Sequence, residues 1–209
     1  MTDEDPDLDA AYALKTPDDS RKLYAGWADS YDSSFAEQND YILPAETARA
    51  FFDAGGAGPV LDVGAGTGLC AVVLSQLGIC PIDATDISAP MLEMAMRKDV
   101  YRDAIEADLT KGLPIRADTY AGIVSSGTFT TGHVGPDAID PLLQVARPGA
   151  QFALSINAQH YDSAGFAAKF DQLKPQIAEL TLKDVPIYGP NAAGAHRCDR
   201  AFVALFRKA

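Results

Sequence analysis

The stretch VLDVGAGTGL, Val60 to Leu69, places Gly64, Gly66 and Gly68 at alternate positions directly after an apolar run that carries Asp62. Glycines there let the backbone turn tightly and approach a ligand with no Cβ in the way. The plainer alternative is a tight strand-to-helix turn with no ligand. The spacing is Gly-x-Gly-x-Gly, whereas dinucleotide loops prefer G-x-G-x-x-G. Three residues after Gly66 stands Leu69, and the lysine of a phosphate-binding loop is missing. Asp62 would repel a pyrophosphate but suits a ligand with an ammonium group or another positive centre. Asp86 follows a second apolar run eighteen residues after Gly68. That is the distance at which an acid accepts both hydroxyls of a ribose. These residues point to a cationic, ribose-bearing, phosphate-free ligand.

The elements that position them follow from the pattern. TPDD at Thr16 to Asp19 reads as a helix start, with Thr16 as N-cap and Asp19 reaching back. The helix would carry Leu23, Tyr24, Trp27 and Tyr31. A second helix begins near Pro44, runs through Ala45, Ala48 and Phe52, and stops at Gly55–Gly56. From Pro59 onward strands and helices alternate. The strands are expected at Val60–Val63, Ile82–Thr85, Ala104–Ala107, Ala121–Ser125 and Phe152–Ile156. Helices between them would bury Leu69, Val72, Val73 and Leu77, then Met91, Leu92 and Ala95. A further helix spans Asp137–Ala146, where Pro141 either sits in the first turn or splits it. Another passes through Phe166, Phe170 and Leu173. Leu180–Ile187 and Arg200–Phe206 have no helix between them and read as antiparallel neighbours. The expected fold is α/β: a Rossmann-like doubly wound sheet of seven strands, mostly parallel with an antiparallel last strand, under an N-terminal helical lid. In such a sheet ligands sit at the carboxyl ends of the strands where the order reverses, beside the loop after Val63.

Composition bounds the function. A chain of 209 residues with 17 basic and 29 acidic side chains has a net charge of −12, which argues against a basic face for nucleic acid or anionic lipid. Residues 1–15 form an acidic arm expected to be flexible, and 16–209 form one domain. The start MTDEDPDLDAA lacks the basic-then-apolar pattern of a secretory leader, and no apolar run reaches bilayer length, so a cytoplasmic chain is expected. Cys70, Cys80 and Cys198 show no CxxC spacing; they read as buried thiols, with neither a disulfide framework nor a metal site.

VLDVGAGTG, TDIS at Thr85–Ser88, EADL at Glu106–Leu109 and the late RPGA resemble the motif series of class I S-adenosylmethionine-dependent methyltransferases. The resemblance spans residues 20 to 209. More narrowly, YAGWADSYDSSF and SSGTFTTGHVGPDAI are similar to the methyltransferase-like proteins named after the Williams–Beuren syndrome region, although Thr131 stands where that pattern has a histidine. The resemblance implies S-adenosylmethionine as cofactor, a ligand that also meets the requirement set by the two acids. It places Gly64, Ala65 and Gly66 against the methionine part, Asp62 on its ammonium group and Asp86 on the ribose hydroxyls. Ile87 would lie against the adenine, with Met91 in the same cofactor-binding set. Asp108 would accept from the adenine amino group, with the Leu109 N–H beside it. Ser125 and Ser126 would face the sulfonium, and Tyr24 and Tyr31 would reach the cofactor from the lid.

Each role has a plainer counterpart. Asp86 could serve only a helix N-terminus, and Asp108 could cap a turn. Tyr24, Trp27 and Tyr31 recur at helical spacing, and Trp27 is assigned to the core. His133 follows the fourth strand and is the candidate general base, or else a loop histidine bonded to backbone. His160 and His196 are given no role, and Tyr188 either reaches the acceptor or packs on the sheet. Methyl transfer from an activated donor needs no base when the acceptor is already nucleophilic. The fourth strand carries Ser125-Ser126-Gly127-Thr128 in place of the Asn/Asp-Pro-Pro-aromatic run of base-methylating enzymes, so a nucleic-acid acceptor is not expected. The expected activity is methylation of a small molecule by a monomer or homodimer. The alternatives are a cofactor-binding module without turnover and a dinucleotide oxidoreductase, the latter disfavoured by the glycine spacing.

Overall fold

The computed structural model describes Leu14 and residues 16–209. Apart from Leu14, the acidic arm expected over 1–15 lies outside the described residues. Helix α1 spans Pro17–Trp27 behind the anticipated capping box: Thr16 Oγ1 accepts from the Asp19 N–H at 3.2 Å, and Asp19 Oδ2 accepts from the Thr16 N–H at 3.0 Å. The helix ends at Trp27, not beyond Tyr31. Tyr31–Glu37 forms a separate π-helical segment, in which Phe35 stacks on Tyr31 with ring centroids 4.9 Å apart. Helix α2, Leu43–Asp53, buries Ala48 and Phe51 completely, while Phe52, which the sequence reading placed with Ala48, is 43% exposed.

The sheet contains β1 (Val60–Val63), β2 (Ile82–Asp86), β3 (Asp103–Glu106), β4 (Tyr120–Phe129), β5 (Ala146–Asn157), β6 (Ile177–Pro186) and β7 (Arg200–Lys208). Their order is β3-β2-β1-β4-β5-β7-β6, with β7 antiparallel to both neighbours and the other pairings parallel. The order reverses between β1 and β4, which opens a crevice at their carboxyl ends. Helices α3 (Leu69–Gln76) and α4 (Ala89–Met96) join α2 on one face. Helices α5 (Ile139–Val145) and α7 (Phe166–Leu173) cover the other; α6 (Ala158–Ala164) had not been anticipated. A short 3₁₀ turn over Pro136–Ala138 precedes α5, and Pro141 lies in the first turn of that helix without splitting it. Strand β1 is buried on both faces, Val60 in one core cluster and Leu61 and Val63 in the other, as a central parallel strand must be. Cys70 is buried, but Cys80 and Cys198 are exposed free thiols, contrary to the expectation that all three are buried.

The N-terminal cover is tied to the sheet at two places. The Ile42 and Leu43 N–H groups both donate to the Ile187 carbonyl, at 3.1 and 3.2 Å, and Tyr41 bridges to Tyr188. On the other side, Asp32 receives the Lys98 ammonium at 2.6 Å and the Thr67 hydroxyl, while Lys98 also donates to the Thr67 carbonyl. This knot joins the π-helical segment, the glycine loop and the end of α4.

Candidate functional site

The crevice is a cleft enclosing about 1510 Å³, the solvent at its mouth included. Its floor is the loop between β1 and α3. Gly64 and Ala65 donate to the Thr85 carbonyl at 2.8 and 3.1 Å, which folds the loop back over β2. Gly64, Gly66 and Gly68 all have positive φ, at 64°, 54° and 92°. The two cleft-lining glycines differ in what surrounds them. A Cβ on Gly64 would collide with the Thr128 side chain, whereas one on Gly66 would meet nothing within 4 Å. Gly64→Ala is therefore expected to cost about 2–4 kcal/mol of stability, from left-handed strain plus overpacking. Gly66→Ala should cost about 1 kcal/mol, yet it places a methyl group where a ligand would approach. Chemical denaturation and ligand calorimetry on the two variants check this split.

Asp62 is 1% exposed. Its Oδ2 accepts from the Tyr101 hydroxyl at 2.7 Å, and its Oδ1 is buried without a partner. Burial pushes its pKa up to about 7; the Tyr101 bond pulls the other way and the nearby Asp86 carboxylate adds to the rise. Asp86 ends β2 at the cleft. Its Oδ2 accepts from the Gly66 N–H at 2.8 Å and its Oδ1 from the Ser88 N–H at 2.9 Å. Burial raises its pKa too, countered by the backbone N–H groups of Gly66, Ser88 and Ile87. The acid that ends β2 thus anchors the glycine loop itself, a role that spacing alone does not reveal.

The other expected cofactor residues divide. Tyr24, Tyr31, Ala65, Ile87, Met91, Asp108, Leu109 and Ser126 line the cleft with Asp62, Asp86 and the glycines. Ser125 does not. Its buried hydroxyl donates to the Val63 carbonyl at 2.8 Å, so it fastens β4 to β1. Asp108 caps a 3₁₀ turn over Leu109–Lys111, accepting from the Thr110 N–H at 3.0 Å and pairing with Lys111 at 3.0 Å. Burial works to raise its pKa, but the bonds from Thr110 and Lys111 prevail and hold it below the ordinary value. Trp27 lies in the core with Phe35 and Met91, as expected.

The far side of the cleft brings in residues for which the sequence offered little signal, Phe35, Tyr41, Ser155, Asn157 and Ile187, and with them Tyr188, whose two readings included this one. Four phenols, those of Tyr24, Tyr31, Tyr41 and Tyr188, lie within electrostatic reach of one another. Burial raises the pKa of Tyr24, Tyr31 and Tyr41, which keeps them protonated.

His133 reaches this group. Its Nδ1 lies 3.3 Å from the Thr131 carbonyl and its Nε2 lies 3.2 Å from the Tyr24 hydroxyl. A carbonyl can only accept, so Nδ1 carries the proton and Nε2 accepts from Tyr24. Burial lowers the His133 pKa, with a bond to Thr131 opposing and His160 assisting, so the ring is neutral at neutral pH. Tyr24→Phe removes a donor that favours the neutral ring. The His133 titration midpoint should then rise by about half a pH unit in nuclear magnetic resonance; an unmoved midpoint would show the two groups uncoupled.

The residues present fit S-adenosylmethionine: an unpartnered buried carboxylate oxygen belongs to a residue that lines the cleft, and a bare glycine faces open space. Among the described residues no cluster of His, Cys, Asp or Glu could hold a metal ion, and no helix is long and apolar enough to cross a membrane.

Comparison with known proteins agrees with this geometry. Residues 60–149 match the family model described as a methyltransferase domain. Human methyltransferase-like protein 27 is 32% identical over 146 residues, covering 66% of this chain and 59% of the human protein. The 18S rRNA (guanine-N(7))-methyltransferase bud23 of Schizosaccharomyces pombe is 28% identical over 99 residues, 47% of this chain and 37% of the yeast protein. The match thus spans less than two thirds of either relative. Among solved structures, the N-methyltransferase NodS of Bradyrhizobium japonicum, in complex with S-adenosylhomocysteine, superposes with a TM-score of 0.62. That likeness covers 88% of this chain and 96% of NodS at 14% identity, and so concerns the fold. The matched stretch runs from β1 into β5 of a sheet wound in this order, and over it the chain is similar to methyltransferase domains, in agreement with the resemblance to class I S-adenosylmethionine-dependent methyltransferases.

Proposed function

We propose that the protein binds S-adenosylmethionine and methylates a small-molecule acceptor. The observation that carries this reading is the buried, unpartnered Oδ1 of Asp62 beside a glycine loop that Asp86 holds in place. Bound there, the cofactor would supply a methyl on a sulfonium, which the acceptor's lone pair takes while the carbon–sulfur electron pair passes to sulfur. Asp62 would hold the ammonium group and Asp86 the ribose hydroxyls. Ile87 and Met91 would pack on the adenine, with Asp108 and the Leu109 N–H at its edge. Tyr24 and Tyr31, which line the cleft from the N-terminal cover, would help to exclude water.

A small acceptor is favoured by the cover formed by residues 17–44, which is stitched to Ile187 and Tyr188. The net charge of −12 is likewise unsuited to a polyphosphate. The yeast relative's name raises an rRNA acceptor as the competing reading, on a match covering 37% of that protein.

Calorimetry comes first. S-adenosylhomocysteine should bind and NAD should not; the reverse would overturn the cofactor assignment. Labelled S-adenosylmethionine is then offered with a metabolite extract and, separately, with total RNA. Label in a small product supports the reading, and label in RNA replaces it. Label in neither, with binding intact, leaves a binding module without turnover. The alternative of one chain or two in solution is read from light scattering on the same sample.

A further inference from the structure

The cleft is divided by charge. Its carboxylates, Asp62, Asp86 and Asp108, stand at the ends of β1, β2 and β3. The other half is walled by the ends of β4 and β5, the cover, and residues 187–188. Among the described residues lining that half there is no Lys, Arg, Asp or Glu. We infer that this half selects an acceptor without net charge, a ring carrying a hydroxyl or amino group, over acids, phosphate esters and quaternary ammonium compounds. The inference rests on the methyl-transfer reading for its chemistry, but the wall that makes the selection is built entirely by this chain.

The polar groups of that wall are hydroxyls and one amide. Asn157 Oδ1 accepts from the Gln159 and His160 N–H groups at 3.0 and 3.3 Å, which fixes the amide and leaves Nδ2 with no hydrogen-bond partner among the described residues. Ser155 Oγ accepts from the Gly127 N–H at 2.9 Å and so shapes the bend after Ser126. The Tyr41 hydroxyl lies over that bend, 2.6 Å from where a Cβ on Gly127 would stand, and beside the Ser126 side chain. Tyr41 and Tyr188, joined by the backbone bridge, hold their rings 5.8 Å apart at 46°.

A charged ligand entering this half loses its hydration and finds no counter-charge among the described residues, a cost of several kcal/mol. A quaternary ammonium could use the ring faces, yet it would sit beside the positive centre that the neighbouring half is built to hold. A neutral hydroxyl or amine meets donors and acceptors together, and its ring finds aromatic edges and faces. His133, neutral and bonded to Tyr24, adds no charge.

The test is saturation-transfer NMR on the full chain with four matched probes: phenol, benzoate, phenyl phosphate and benzyltrimethylammonium. With S-adenosylhomocysteine present, phenol should bind at least about tenfold more tightly than any of the charged three. Tyr41→Phe and Tyr188→Phe should each weaken phenol by about fivefold while S-adenosylhomocysteine affinity stays within about twofold. Benzoate, phosphate or ammonium binding as tightly as phenol would overturn the inference, as would no probe binding at all. The panel is repeated without S-adenosylhomocysteine. If that nucleoside fails to bind, the methyl-transfer reading fails, yet phenol binding more tightly than benzoate and phenyl phosphate still upholds the selective wall, the ammonium probe then being free to seek the open carboxylates.

Discussion

Replacing Asp86 with alanine is expected to weaken S-adenosylhomocysteine by about 2–3 kcal/mol, some 30- to 150-fold. Two losses combine. The ribose hydroxyls lose their acceptor, and the Gly66 and Ser88 N–H groups lose theirs, at present 2.8 and 2.9 Å away. The glycine loop therefore loosens even with no ligand bound, and unfolding midpoints should fall as well. Asp86→Asn separates the two effects. Its amide oxygen can still accept from one N–H, so stability should recover more than affinity does. Calorimetry and chemical denaturation on both variants provide the check. Unchanged affinity in the alanine variant would remove Asp86 from the ribose.

The second large effect concerns Asp62 and pH. Its folded pKa of about 7 lies above the ordinary 3.8. The folded chain thus binds a proton that the unfolded chain releases, and this contribution to stability is complete below about pH 4. It is lost progressively between about pH 4 and 7 and stays lost above. Asp62→Asn should therefore stabilise the ligand-free protein at pH 8 by about 2 kcal/mol, less what the unpaired amide costs, and much less at pH 4. Ligand binding shows the opposite sign. The ammonium group needs the ionised carboxylate, so wild-type affinity should fall about tenfold from pH 8 to pH 6, with proton release visible when calorimetry is repeated in a second buffer. The groups facing Asp62 are Tyr101, Cys70 and Asp86. Tyr101 and Cys70 have pKa values raised well above their ordinary ones, so they do not titrate in this window. In the Asn variant the affinity should be lower and nearly flat with pH. A wild-type affinity that is flat from pH 8 to 6 would mean that Asp62 does not meet the ammonium.

These two acids were also where sequence reading was most informative. A glycine run after a buried strand, an acid two residues earlier and another at the end of the next strand are local patterns, and the sheet order that unites them follows from strand–helix alternation. The cofactor half of the cleft was legible for that reason. The acceptor half was not. The antiparallel last strand is legible and Tyr188 is one open reading, but Tyr41, Ser155 and Asn157 join Tyr188 from segments more than 140 residues apart at the extremes, through an isolated bridge that no periodicity announces. The π-helical segment over Tyr31–Glu37 escaped for another reason: its ring spacing matches an ordinary helix continuing from Tyr24, and only the break after Trp27 separates them. Ser125 and Ser126 illustrate the limit of a strand pattern. Successive residues face opposite ways, and which serine meets the cleft depends on the twist of β4.

The knot of Asp32, Lys98 and Thr67 bears on tempo. On the proposed reading a nucleoside would sit behind Tyr24 and Tyr31 with the π-helical segment beside it, and that segment is pinned to the glycine loop by these bonds. Departure would then require those side chains to let go, so the residence time of spent cofactor would follow how often that clasp springs open.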